Sequence, residues 1–94
     1  MTGKQRAYLR GLANKIDAKY QLGKDGLTES FIKQIDDALE ANELIKVHVL
    51  ENSLSDPRAI SDELCRILDA EGVQVIGSKF VIYRESENKK TMIV

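Results

Sequence analysis

Tyr20-Gln21-Leu22-Gly23-Lys24-Asp25-Gly26-Leu27-Thr28 carries the chain from a short extended run into a helix. Gly23 ends the extended run, and Thr28 is a helix-capping residue followed by apolar positions at helical spacing. Two glycines around two polar residues at a strand-to-helix junction let the backbone approach a phosphate chain closely, with the unpaired N–H groups of the first helical turn aimed at it. The same residues serve equally well as a plain turn between two elements. The flanking sequence has to decide between these roles.

Toward the N-terminus, Leu9, Leu12, Ala13 and Ile16, with Tyr8, fall on one side of a 3.6-residue period, which predicts a helix from Thr2 to Asp17 capped by Thr2. Arg6 and Arg10 border one edge of that stripe, Lys4 and Lys15 the other, with Ala7, Gly11 and Asn14 between the two basic ridges. Lys19 to Leu22 reads as the first strand. Beyond Thr28, a second helix buries Phe31, Ile32, Ile35, Ala38 and Leu39 and stops near Asn42. Leu44 to Leu50 alternates, with Ile45, Val47 and Val49 on one face and Lys46 and His48 on the other, a half-buried second strand. Asp56-Pro57 opens a third helix, with Ile60, Leu64, Ile67 and Leu68 inward and Gly72 beyond its end. Val73 to Ile76 and Phe80 to Tyr83 are strands three and four, joined through a Gly77-Ser78 hairpin turn. Residues 85–94 have no clear period and read as a tail or weak strand.

The predicted order is α-β-α-β-α-β-β. Two βα crossovers followed by a hairpin imply an α/β (α+β) sandwich with a mixed four-stranded sheet and packed helices. Ninety-four residues suit one domain, which we place at residues 1–86 with a C-terminal tail at 87–94. No apolar run reaches the roughly 18 residues needed to span a bilayer, and the N-terminus has no signal-peptide core. A cytoplasmic protein without membrane attachment is the simplest expectation. One cysteine, Cys65, and one histidine, His48, supply neither an internal disulfide nor a zinc-finger site, so no metal or other cofactor is expected.

The net charge of −1 hides an asymmetry. Residues 1–24 hold six basic side chains and one acidic, a local charge of +5, whereas residues 25–94 hold eight basic and fourteen acidic, −6. A basic patch beside an acidic body is suited to a polyanion, because salt screens charge beyond about 8–10 Å. It also suits a solvated helix face. His48 lacks a partner nucleophile or carboxylate at a catalytic spacing, Cys65 borders an apolar face, and Asp36, Asp37, Glu40 and Glu43 read as a solvated helix face. None of these points to an enzyme or to a small-molecule substrate.

Five blocks, Thr2-Gly3-Lys4-Gln5-Arg6-Ala7-Tyr8-Leu9-Arg10, Gly23-Lys24-Asp25-Gly26-Leu27-Thr28, Glu43-Leu44-Ile45-Lys46-Val47, Val73-Gln74-Val75-Ile76-Gly77 and Val81-Ile82-Tyr83-Arg84, resemble in order and spacing the CRM domain of YhbY-like bacterial proteins and chloroplast intron-splicing factors. The resemblance implies an RNA-binding domain similar in fold to the C-terminal domain of translation initiation factor three. It also implies a KH-like GxxG loop, which in KH domains clamps the backbone of a single strand. A chain of one bare domain is similar to the bacterial members that associate with precursors of the large ribosomal subunit, which implies ribosomal RNA as partner and ribosome assembly as role. Asn14 stands where many members have histidine, Ala18 where many have proline, and Asp25 adds a negative charge to the loop. The basic C-terminal tail of some members is reduced to Lys89 and Lys90.

The expected RNA contacts are Gly23, Lys24, Asp25, Gly26 and Thr28 around the loop, with Lys4, Arg6, Arg10, Lys15 and Lys19 from the N-terminal segment. The N–H groups around Lys24-Asp25-Gly26 and the first turn of the second helix face the strand, and one basic ridge of the first helix extends the contact. Base specificity is expected to be modest, since there is no tryptophan and the few aromatics fall mainly in core patterns. The rival reading is a protein-interaction adaptor whose basic helix docks to an acidic partner, with the loop purely structural.

Overall fold

Residues 1–53 and 55–87 are described by a computed structural model. Helix α1 spans Gly3–Ala13, strand β1 Tyr20–Leu22, helix α2 Glu29–Asn42, strand β2 Leu44–Val49, helix α3 Pro57–Leu68, strand β3 Glu71–Ile76 and strand β4 Lys79–Tyr83, with a short 3-10 turn at Glu51–Ser53. The α-β-α-β-α-β-β order is the one that the periodicity predicts. The strands form one mixed sheet in the order β1-β2-β4-β3. β1 runs parallel to β2, while β4 is antiparallel to both β2 and β3. The β3–β4 hairpin closes at Gly77, whose φ of 57° is a left-handed conformation that suits glycine.

Alternation along β2 assigns its side chains to two different layers. Ile45, Val47 and Val49 join Leu22, Phe80 and Ile82 under α2 and α3, against Phe31, Ile35, Leu39, Leu64 and Leu68, in the larger core. Leu44 faces the other way and packs with Val73, Val81 and Tyr83 beneath Leu9 and Ala13 of α1. Both faces therefore carry a helical layer, but α1 is a single 11-residue helix over one end of its face. At the other end of that face, β2 and β4 present Lys46, His48 and Lys79, since Lys46 pairs with Val81 and His48 with Lys79 in the ladder.

Several local expectations are corrected. α1 stops at Ala13 rather than Asp17, because Asn14 caps it and Lys15 and Ile16 tighten into i→i+3 bonds to the carbonyls of Leu12 and Ala13. Ile16 nevertheless stays packed on the smaller core. Tyr8 is 53% exposed and Ile67 40% exposed, each on the flank of its helix stripe rather than at its centre. α3 ends at Asp69, which takes the left-handed conformation (φ 55°); Gly72 lies beyond that end as expected, but inside β3, which begins at Glu71 rather than Val73. Glu43 does not belong to a solvated face: it is fully buried at φ 66°, ends α2, and accepts a 2.8 Å hydrogen bond from the Ser86 N–H. Of the segment read as a tail, Glu85 to Glu87 are described, and Ser86 and Glu87 are held by Glu40 and Glu43; residues 88–94, Lys89 and Lys90 among them, lie outside the described residues.

Candidate nucleic-acid interface

The loop after β1 is a tight turn that feeds directly into α2. The Gly26 N–H donates to the Gly23 carbonyl at 3.2 Å, and the Thr28 N–H donates to the Gly26 carbonyl at 3.0 Å. The Thr28 hydroxyl then accepts from the Phe31 N–H at 3.1 Å, capping α2 as its sequence position predicts. Gly26 sits at φ 68°, a conformation that costs a side-chain-bearing residue about 1–2 kcal/mol. A β-carbon added at Gly23 would meet no atom within 4 Å, and Gly23 has no left-handed φ, so nothing inside the fold requires glycine there. The open space in front of Gly23 is what close approach from outside needs. Lys24 and Asp25 are exposed at the tip, and Glu29 is the acidic residue in the first turn of α2. Because the Gly26 N–H is committed within the turn, the donors left for a ligand are fewer than the sequence suggests.

The capping box of α1, with Gln5 N–H donating to the Thr2 hydroxyl at 3.1 Å and Thr2 N–H to the Gln5 side-chain oxygen at 2.8 Å, fixes where the N-terminal cations emerge. Arg6 is anchored to the start of β3: its Nε donates to the Gly72 carbonyl at 3.1 Å, and its guanidinium lies 3.9 Å from the Glu71 carboxylate. Arg6 and Arg10 together line a cleft of about 600 Å³ with Gln74 of β3 and with Arg58 and Asp62 of α3. Lys4 and Lys15, on the other edge of α1, are exposed and do not line that cleft. Lys19 lines a smaller depression of about 110 Å³ beside Asp17, Tyr20 and Lys46.

The two parts of the expected site stand on opposite edges of the sheet. The loop follows β1, and Arg6 and Arg10 flank β3. The face between them holds residues to which the sequence reading gave no role in binding RNA. Gln21, His48 and Lys79 lie side by side across β1, β2 and β4, with Lys46 one pair further toward α1. The alternation of β2 already puts Lys46 and His48 on one face; the strand order that brings Lys79 beside them is a long-range pairing with no local signature. Arg58, in the first turn of α3, is likewise indistinguishable from any surface cation until β3 and α1 are placed next to it.

Negative charge gathers elsewhere. Asp36, Asp37, Glu40, Asp69, Glu85 and Glu87 surround a depression of about 530 Å³ beyond the end of β4. Arg84 fastens this pole, pairing with the Asp36 carboxylate at 2.8 Å and donating to the Asp36 and Leu68 carbonyls at 3.1 Å each. The loop lies at the other end of the strands, since Leu22 pairs with Val49 whereas Tyr83 pairs with Leu44. The six residues of β2 put about 20 Å between the two ends, two Debye lengths at physiological salt. Burial pushes the Cys65 thiol up to about 11, which keeps it protonated and unreactive near neutral pH. Among the described residues no group of His, Cys, Asp and Glu could hold a metal ion, and no helix is long and apolar enough to cross a membrane.

The comparisons with known proteins agree with one another. The model of the CRS1/YhbY (CRM) domain matches residues 1–84. The protein named Probable RNA-binding protein YqeI from Bacillus subtilis (strain 168) is 42% identical over 90 residues, covering 96% of this chain and 94% of its own length. One from Haemophilus influenzae, named RNA-binding protein, is 37% identical over 93 residues, covering 99% and 94%. The solution structure of the hypothetical protein SAV1595 from Staphylococcus aureus superposes with a TM-score of 0.83 at 52% identity, covering 100% of this chain and 98% of that one.

Proposed function

The chain belongs to the CRS1/YhbY (CRM) domain family, and from that premise we propose that it is an RNA-binding protein that grips the sugar–phosphate backbone. The observation that carries this reading is the Gly23–Gly26 turn, open on its outer side and leading straight into the capped N-terminus of α2, at the edge of a sheet face lined by Lys46, His48 and Lys79. The turn and the first turn of α2 offer backbone N–H groups and the positive end of the helix dipole to a phosphate, and Lys24 adds charge at the tip. The lysines of the open face and the cations of α1 extend the attraction along the strand.

The reading extends to ribosomal RNA in precursors of the large subunit as the target, in the cytoplasm, with assistance to assembly as the role; resemblance to stand-alone bacterial members supports it. No catalytic step is part of this reading. The adaptor reading gains from the separation of Lys24 from Arg6 and Arg10, but Lys46 and Lys79 stand between them on the same face, where a continuous polyanion would lie.

The test is a titration of large-subunit ribosomal RNA fragments over a salt series. The expected result is an affinity that falls steeply with salt, and that falls further when Lys24 and Arg10 are both changed to alanine. A flat salt response, or unchanged affinity in the double variant, would sink the proposal.

A further inference from the structure

The cleft at the outer edge of β3 is built differently from the loop. Arg6 and Arg10 reach it from α1 and Arg58 from α3, two helices on opposite faces of the sheet, so that three arginines line one cleft at the sheet edge. Arg10 and Arg58 are exposed, and no hydrogen bond or ion pair holds either one among the described residues. Arg6 is preset by its bond to the Gly72 carbonyl and by a long contact to Glu71, the carboxylate that a ligand anion would have to displace. Asp62 is the carboxylate lining the cleft itself. The Gln74 side-chain oxygen is buried with no hydrogen-bond partner among the described residues; as an acceptor it would pair with a ribose hydroxyl and not with a phosphate oxygen.

We propose that this cleft is a second backbone seat, in which Arg6, Arg10 and Arg58 hold a phosphodiester of the same RNA strand that the Gly23–Gly26 loop grips at the opposite edge of the sheet. Guanidinium groups suit this task, since each presents a planar fork of donors that matches phosphate oxygens two at a time. An acidic peptide added as an extra strand fits less well. The register shift between Gly72 and Gln74 breaks the regular edge that such a peptide would pair with. The two seats give the domain a footprint: a strand bound at both must cross the open face past His48 and Lys79. Short strands can fill only one seat. The inference rests on the RNA-binding reading.

The experiment compares oligouridine of about 4 nucleotides, the length that a KH-type loop clamps, with oligouridine of about 16. At a rise of about 3.4 Å per nucleotide or more, the longer strand exceeds the 36 Å longest extent of the molecule. For Arg58→Ala, affinity for the long strand should drop about five- to tenfold, with a salt slope smaller by about 0.7. Affinity for the short strand should stay within about twofold. Lys24→Ala should weaken both. Arg58→Lys should recover only part of the loss, because it keeps the charge without the fork. An unchanged thermal midpoint for Arg58→Ala confirms that the fold is intact. If Arg58→Ala binds the long strand like the wild type while Lys24→Ala does not, the second seat is wrong and the RNA reading stands. If neither strand binds the wild type, both fail together. If an Asp/Glu-rich peptide competes for the cleft more strongly than the 16-mer, the occupant is a protein and the proposal is overturned.

Discussion

One face of the sheet lies under two helices, and the other lies under one. On the first, alternate residues of β1, β2 and β4 meet α2 and α3 in a continuous apolar layer. On the second, the same strands give Leu44, Val81 and Tyr83 to α1 at one end and Lys46, His48 and Lys79 to the surface at the other. The backbone ladder is common to both, so the difference comes from the side chains and from the length of the helix that the N-terminal segment forms. Because α1 packs only over the Leu44, Val81 and Tyr83 end, the sheet keeps a cationic area next to the loop. In the proposed reading, stability is concentrated on the first face and affinity for RNA on the second.

This division breaks if a closed-face substitution changes RNA binding, or an open-face substitution changes stability. The largest effect is expected for Leu39→Ala, a fully buried residue of α2. Urea unfolding should show a loss of about 3–4 kcal/mol, while RNA affinity per folded molecule stays the same. Gly26→Val comes next and tests the loop at the border between the two regions. Its left-handed φ in open space predicts a stability loss of only about 1–2 kcal/mol, from backbone strain without a clash. RNA affinity should fall by more than about tenfold, because the turn is displaced from its phosphate. If Gly26→Val unfolds the domain outright, the turn is a structural element first.

The order of elements and their ends are legible in the chain wherever the signal is local. Thr2, Thr28 and Asp56-Pro57 mark three helix starts, and Gly77-Ser78 marks the hairpin. What is not legible depends on residues far apart. Glu43 looks like one more acidic residue on α2, but the backbone of Ser86, 43 positions later, buries and binds its carboxylate. Arg6 and Arg10 are recognisable as one ridge of a helix, yet only the placement of β3 at a sheet edge shows that they share a cleft with Arg58. Likewise, the distance of that cleft from the loop follows from the β1-β2-β4-β3 order, which periodicity does not encode.

Smaller effects sharpen the picture. Lys46→Ala and Lys79→Ala should each reduce RNA affinity about threefold and change unfolding free energy by no more than about 0.5 kcal/mol. Measured at low and high salt, the differences should shrink as salt rises. The smallest expected effect belongs to the closed face and has a defined pH window. The Cys65 thiol is raised by burial from 9.0 to about 11, so the folded state binds its proton more tightly than the unfolded chain does. That contribution is present below about pH 9 and is lost as pH rises toward about 11. Urea midpoints compared between pH 8 and pH 10.5 should fall slightly more for the wild type than for Cys65→Ala, and iodoacetamide at pH 8 should modify Cys65 slowly until the protein is unfolded.

Amide chemical-shift mapping during titration with a single-stranded RNA tests the central claim most directly. The account predicts shifts at Gly23 to Ser30, along Lys46 to His48 and around Lys79, and on the Arg6–Arg10 side of α1. The acidic pole around Asp36, Glu40 and Glu87 should stay unmoved. Shifts centred on that pole, or none on the open face at saturating RNA, would contradict it.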